Sequence, residues 1–349
     1  MDLKKNSLDY IRYAAAFSVA LLHFTHYALQ ATTQPSILLV GLRKITESVQ
    51  GVVILFALSG FLITASLERC YSNWNYIVKR ASRLVPPYYL QILFNAVLMI
   101  VFYSAMLDSS FIKWFIAQFA FLGFTPNCLS TIPSGSINGA LWTIAVEIQL
   151  YFVLMVCYPW IKKLGYKKWF LLISFLLACN LSMDYILSAI QNSLYAEMIS
   201  RLCIPYLIWF AIGVLCYLKR EEIVPVLSKY FWGGVLLFAI SELFQGCIGR
   251  FPGYYADIVA SILLPLIVIG LGYKLGNHHI RIDITYEIFL YHWIVINILL
   301  YFGCFGMLNS VWVLCLYLLS VILISLVAYY LNQGIKTWIG GVLNKERNI

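Results

Sequence analysis

Apolar residues fall along this chain in long runs with short polar breaks between them. A run of about twenty apolar residues is the length of one helical crossing of a bilayer's hydrocarbon core. Such runs cover residues 8–30, 48–68, 85–107, 140–161, 169–190, 200–218, 231–246, 255–275, 284–303 and 309–332. The pattern predicts an all-α polytopic membrane protein with ten transmembrane helices. A further run, FIKWFIAQFAFLGF (111–124), is short for a crossing and is expected to be a re-entrant or interfacial segment. One transmembrane domain over 1–335 and a short cytoplasmic tail at 336–349 complete the expected organisation. The stretch TPNCLSTIPSGSING (125–139) is rich in Pro, Gly, Ser and Asn, which marks a loop.

Charge sets the orientation. With ten spans and a cytoplasmic N-terminus, 19 of the 24 Lys and Arg residues fall on the inside and 5 outside. Treating 111–124 as a full span inverts every later segment and leaves 9 inside against 15 outside. Cytoplasmic loops carry the excess of Lys and Arg, so ten spans with both ends cytoplasmic is the expectation. It places the 125–139 loop on the outside, where a polar substrate could approach. Topology thereby accounts for the net charge of +9, and nucleic acid is not an expected partner.

Composition agrees with lipid as the main solvent. The 349 residues are 62% hydrophobic and 11% charged, with mean hydropathy +0.84, whereas a soluble domain is about half apolar and a quarter charged. Nine cysteines are scattered without a CxxC pair or Cys/His spacing, which argues against a metal site. Cys128 and Cys247 are expected to face the oxidising side. Lys4, Lys5 and the apolar run after them resemble a signal peptide in outline, but the run lacks a convincing small-x-small cleavage site and many more spans follow. The run is read as an uncleaved first helix.

Ionisable groups inside hydrocarbon cost roughly 2.5 kcal/mol or more each, so a use is expected for those present. In RYAAAFSVALLHFTHY (12–27), Arg12 and His23 are eleven residues apart. At 100° per residue they share one helix face, about 16 Å apart along the axis, with Tyr27 and Gln30 close to the same line. A polar stripe of this kind must face a bundle interior or a water-filled cavity. Arg12 is expected near the cytoplasmic surface, His23 in the outer half; His26 points elsewhere.

Other polar groups extend the pattern. Arg80 and Arg83, in VKRASRLVPPYYL (78–90), are three apart and share a face on a helical turn. Guanidinium forks bind phosphate in bidentate fashion, and a pair suits a polyphosphate. In GALWTIAVEIQLYF (139–152), Glu147 is expected at about the depth of His23, where a carboxylate could orient an imidazole. His292, in TYEIFLYHWIV (285–295), is expected a third of the way in from the cytoplasmic side. Ser59-Gly60 permits close helix packing. The sequence carries no P-loop, GxSxG elbow, HExxH or metal constellation. A ladder from Arg80 and Arg83 through Arg12 and His292 to His23 and Glu147 suits a reaction whose anionic reagent waits in the cytoplasm. It suits a conduction pathway equally.

The segments SLDYIRYAAAFSVALLHF, LFALSGFLI, RASRLVPPYYL, LWTIAVEIQLYF and TYEIFLYHWIV, in that order, resemble the membrane acyltransferase-3 family, which includes bacterial O-antigen O-acetylases. The resemblance covers nearly the whole chain and implies transfer of an acyl group, usually acetyl from cytoplasmic acetyl-CoA, to a hydroxyl of a glycan or undecaprenyl-linked sugar. It implies a multi-pass protein of the bacterial inner membrane. By position, His23 matches the family's first-helix histidine and Arg12 its paired cation, Arg80 and Arg83 the donor-handling pair, and Trp142 with Glu147 the Trp…Glu motif. The expected roles are catalytic for His23 and Glu147, donor binding for Arg12, Arg80 and Arg83, and substrate binding for Trp142, Tyr27 and His292. No metal is expected. Some relatives append a periplasmic hydrolase-like domain; its lack here is expected to leave acceptor transfer to the membrane domain. A transporter or flippase of a lipid-linked sugar is the alternative, separable by label transfer from acetyl-CoA.

Overall fold

The computed structural model describes residues 5–32, 35–103, 109–122, 132–278, 280–307 and 309–346. Cys128, Lys4 and the first part of the 125–139 loop lie outside the described residues. Regular structure among the described residues is wholly helical. The helices are α1 (Leu8–Ala31), α2 (Ile37–Ser48), α3 (Gly51–Glu68), α4 (Asn73–Tyr103), α5 (Ser109–Phe119), α6 (Trp142–Ile161), α7 (Tyr166–Leu181) and α8 (Met183–Ala189). Next come α9 (Ser193–Ser200), a 3-10 turn at Ile204–Tyr206, α10 (Leu207–Leu218), α11 (Arg220–Lys229), α12 (Phe231–Ile248), α13 (Ile258–Lys274), α14 (Thr285–Tyr301), α15 (Cys304–Met307) and α16 (Ser310–Glu346).

Among the described residues, seven helical segments are long and apolar enough to cross a membrane: Ile37–Glu68, Asn73–Phe102, Trp142–Ile161, Tyr166–Ala189, Tyr195–Leu218, Phe231–Ile248 and Ser310–Thr337. Apolar helices α13 and α14 have 17 residues each. Helix α1 has 24 residues and carries the polar stripe. The run at 111–124 gives α5, whose 11 residues extend about 16 Å, well short of the roughly 30 Å hydrocarbon layer.

One local departure from the sequence pattern bears on function. Helix α4 begins at Asn73, so Arg80 and Arg83 sit within a continuous 31-residue helix rather than a loop before a span. Pro86 and Pro87 lie inside it; each removes an N–H that would bond four residues back, yet the helix continues through them.

The chain divides into two compact units, one of Met1–Val19, Ile45–Tyr76 and Thr143–Ile282, the other of Ala20–Lys44, Ile77–Trp142 and Asp283–Ile349. In the first, α3 and α10 cross with their backbones in contact. A Cβ on Gly60 would meet the Phe210 carbonyl oxygen at 2.1 Å, and one on Gly213 would meet that of Ala57 at 2.0 Å. Small residues permit this approach, which lipid-embedded helices use because hydrophobicity alone does not drive them together. Asp257 starts α13, its Oδ1 accepting from the Val259 and Ala260 N–H groups at 2.9 and 3.0 Å. That cap satisfies two of the helix's four orphan donors.

In the second unit, α4 and α14 run side by side in the same direction. Arg83 pairs with Asp283 at 3.7 Å, the Tyr286 hydroxyl donates to the Leu84 carbonyl at 3.3 Å, and the rings of Phe94 and Tyr291 lie 5.9 Å apart. Near the far end Phe102 meets Tyr301 at 5.4 Å. Contacts therefore climb both helices together from the arginine pair upward.

Candidate active site

The second unit gathers four aromatic side chains from α1 and α14. The imidazoles of His23 and His292 lie 5.4 Å apart, centroid to centroid, with planes inclined by 17°. Trp293 meets His23 edge to face at 4.6 Å and 62°, and Tyr27 meets Trp293 at 5.8 Å. His292 is fully enclosed, whereas His23 and Tyr27 are half-buried residues. His292, expected nearer the cytoplasmic side than His23, therefore stands at its level. The residue next to it on α14, Trp293, lies against the same ring.

The state of His292 is set by its partners. Its Nδ1 lies 2.8 Å from the Phe289 carbonyl oxygen and 3.2 Å from that of Ile288. Carbonyls only accept, so Nδ1 carries the proton and Nε2 presents a lone pair. That Nε2 is buried and has no hydrogen-bond partner among the described residues.

A short irregular segment, 132–141, is fastened to α14 by side chains. Asn138 Nδ2 donates to the Leu290 carbonyl at 2.8 Å. Trp293 Nε1 donates to Ser134 Oγ and the Ser136 carbonyl, each at 3.2 Å. Asn297 Nδ2 donates to the Ser136 and Ile137 carbonyls at 3.1 and 2.9 Å, and the Tyr27 hydroxyl donates to the Ser134 carbonyl at 2.9 Å. Backbone carbonyls outside a helix need partners of this kind wherever lipid excludes water. Gly135 turns the segment with φ +69°, a conformation costly for other residues. Gly139 lets the indole lie close against the chain, since a Cβ there would stand 2.4 Å from Trp293 Cη2.

The remaining expected residues fall as follows. Arg80 is buried in α4, and Arg83, one turn on, is half-exposed beside Asp283. Trp142 opens α6 and is half-buried. In the first unit, Arg12 pairs with Asp9 at 3.9 Å. Glu147, also in the first unit, accepts hydrogen bonds from the Tyr151 hydroxyl and from Ser59 Oγ, the latter at 3.2 Å. The ring contacts of His23 thus come from α14, and the partners of Glu147 from α3 and α6.

The sequence pattern does not single out Trp293, Asn138, Gly139 or Asn297. Nor does it single out Gln91 and Asn95, whose carboxamides are buried in α4 without partners among the described residues. Asn95 and Asn297 line a cavity of about 10 Å³, the size of a single water site. Carboxamides interrupting an apolar helical run were the available signal. No group of three or more His, Cys, Asp or Glu suited to a metal ion occurs among the described residues.

Apolar helices long enough to cross a bilayer define a polytopic membrane protein, and the second unit sets a half-buried His23 against an enclosed His292. Comparison with known proteins gives the family: the acyltransferase-3 family, an acyltransferase domain, matches residues 5–330. The chain belongs to that family and is an acyltransferase. It is similar to nodulation protein 10 of Rhizobium leguminosarum bv. viciae, 23% identical over 281 residues, 74% of this chain and 75% of the relative. It is also similar to the O-acetyl transferase of Shigella phage Sf6, 29% identical over 170 residues, which are 46% of this chain and 47% of the relative. No solved structure matches.

Proposed function

We propose that this protein is an O-acetyltransferase of the bacterial inner membrane. In this reading it crosses the membrane ten times with both termini cytoplasmic, and it moves an acetyl group from cytoplasmic acetyl-CoA to a hydroxyl of a cell-surface glycan or undecaprenyl-linked sugar. The observation that carries the reading is His23: the imidazole of a half-buried residue, walled by His292 and Trp293 in a chain of an acyltransferase family. An O-acetyl transferase among the relatives supports acetyl as the group and oxygen as its destination.

Arg80 and Arg83 hold the phosphates of CoA in this reading, the guanidinium being suited to them by its fixed fork of donors. The pantetheine arm carries the thioester to His23. There the acceptor hydroxyl attacks the thioester carbonyl as His23 takes its proton. The C–S bond breaks, and the proton passes to the departing CoA thiolate, so the products are the O-acetyl ester and CoA. Glu147, held by Tyr151 and Ser59 in the first unit, is the second residue assigned a catalytic role in this reading. Tyr27, Trp142 and His292 line the acceptor side. General-base assistance of this type is worth about 10²–10⁴-fold.

The test is to incubate membranes containing the protein with acetyl-labelled acetyl-CoA and candidate glycans, then locate the label. Label on the glycan in a base-labile ester is the expected result. Transport of a lipid-linked sugar without any transfer of label would overturn it.

A further inference from the structure

In the second unit, one face of α4 carries a buried polar stripe that continues from the arginine pair. Gln91 lies eleven residues beyond Arg80, and Asn95 fifteen. At 100° per residue they fall within about 20° and 60° of the direction of Arg80, about 16 and 22 Å from it along the axis. Gln91 and Asn95 are 0% and 1% exposed. The oxygen and the nitrogen of each carboxamide lack a hydrogen-bond partner among the described residues. A buried amide left unpaired costs its full desolvation, so four such atoms on one helix face call for a group that pairs with them.

The carboxamides stand at the level of the imidazole pair. Phe94, next to Asn95, meets Tyr291, next to His292, at 5.9 Å between ring centroids, and His292 stacks on His23. Asn95 shares a cavity with Ile294 and Asn297 of α14, and most of the remaining lining is apolar, Leu98, Met99 and Ile298 included. A sugar, with hydroxyls on every side, does not match amides set among methyl groups. A chain of amides separated by methylenes does, and the pantetheine arm of CoA is such a chain. Its two amides stand about 5 Å apart when extended, close to the rise of about 6 Å from Gln91 to Asn95. The two carboxamides lie about 12 and 18 Å beyond Arg83 along α4. The extended arm measures about 16 Å from phosphate to sulfur.

We infer that Gln91 and Asn95 form the subsite for the donor's pantetheine arm: their carboxamides pair with its amides and bring the thioester to the level of His23. The inference rests on the proposed use of a CoA thioester as donor. It lays the donor along one helix, phosphates at Arg80 and Arg83 and amides at Gln91 and Asn95. A carboxamide both donates and accepts, so it can satisfy the N–H and the C=O of an amide. The cavity beside Asn95 is narrow, about 10 Å³. Met99 and Leu98 on its wall are the side chains that yield as the arm enters, methionine being adaptable in shape.

The experiment compares Gln91→Met and Asn95→Leu, apolar replacements of similar size, with wild type. Initial rates of acetyl transfer in membranes give kcat and the KM values for acetyl-CoA and for the glycan that takes the label. Thermal unfolding of the solubilised proteins, with and without CoA, reads folding and binding apart from turnover. Each variant is expected to raise the KM for acetyl-CoA about 10-fold, the scale of one or two hydrogen bonds, with kcat and the KM for the glycan unchanged. CoA at a concentration that raises the wild-type midpoint should raise those of the variants less. Without CoA the variants should unfold at or above the wild-type midpoint, because an unpaired buried carboxamide has been removed. An unchanged KM for acetyl-CoA in variants that fold overturns the inference. So does a raised KM for the glycan in its place, or a midpoint lowered in the absence of CoA, which makes the carboxamides structural. Wild-type membranes that transfer no label from acetyl-CoA would instead overturn the donor on which the inference stands.

Discussion

A Cβ built on Gly139 would stand 2.4 Å from Cη2 of Trp293. The indole so accommodated donates to Ser134 and Ser136 and meets His23 at 4.6 Å. A substitution at position 139 is therefore transmitted through one rigid ring to the imidazole. Gly139→Ala should lower kcat for acetyl transfer by about 10-fold or more, because small misplacements of a catalytic group cost up to about 10²-fold. Initial rates at saturating acetyl-CoA, normalised to membrane abundance, measure it. An unchanged kcat would show that the indole moves without disturbing His23.

The Arg83–Asp283 pair offers a way to separate donor binding from architecture. Both side chains are substantially exposed at 44% and 39%, so their attraction is worth no more than about 1 kcal/mol. Arg83→Glu should raise the KM for acetyl-CoA about 10-fold, the scale of one charge-assisted hydrogen bond. Adding Asp283→Lys restores an ion pair of reversed sense but puts no cation back at position 83. The double variant should keep the raised KM; recovery of the wild-type value would make Arg83 structural.

In the first unit the α3–α10 crossing depends on Gly60 and Gly213. Gly60→Ala forces a shift against the Phe210 carbonyl at 2.1 Å, and overpacking of this kind costs about 1–3 kcal/mol. Gly246→Ala, with nothing within 4 Å of the added carbon, is the control. Thermal unfolding in detergent should show a lower midpoint for the first and no decrease for the second. Equal midpoints would mean that the two helices separate freely.

Glu147 gives a prediction that concerns its immediate partners. Tyr151→Phe removes a hydroxyl that donates to the carboxylate and leaves the Ser59 hydroxyl donating at 3.2 Å. A loss of about 1–3 kcal/mol is expected for a half-buried charge-assisted bond. Denaturation of the purified variant against wild type reads this directly, and a change below a few tenths of a kcal/mol would contradict it.

Legibility in the sequence tracks energetic cost. His23 stands out because an imidazole in an apolar run is expensive, and the helical period ties it to Arg12. Helix α13 starts close to where its apolar run starts, because Asp257 caps it. Trp293 does not stand out, since an aromatic residue in an apolar run carries no penalty; its importance comes from Gly139 and from hydrogen bonds over 150 residues away in the chain. Tyr151 is within reach, four residues from Glu147 on one helix face, whereas Ser59 arrives from α3 by tertiary packing. The start of α4 is hidden because Pro86-Pro87 reads as a helix start, while the residues before it are helical as well. Depth along a single helix does not show that His292 and His23 share a level, because that depends on how α1 and α14 stagger.

The central claim is that His23 moves the acceptor's proton during acetyl transfer. Its most direct test is acetyl-label incorporation into glycan from acetyl-CoA, compared between membranes carrying wild type and His23→Ala at equal abundance. The account predicts base-labile label with wild type and at least about a 10²-fold lower rate with the variant. Equal rates in the two membranes would contradict it.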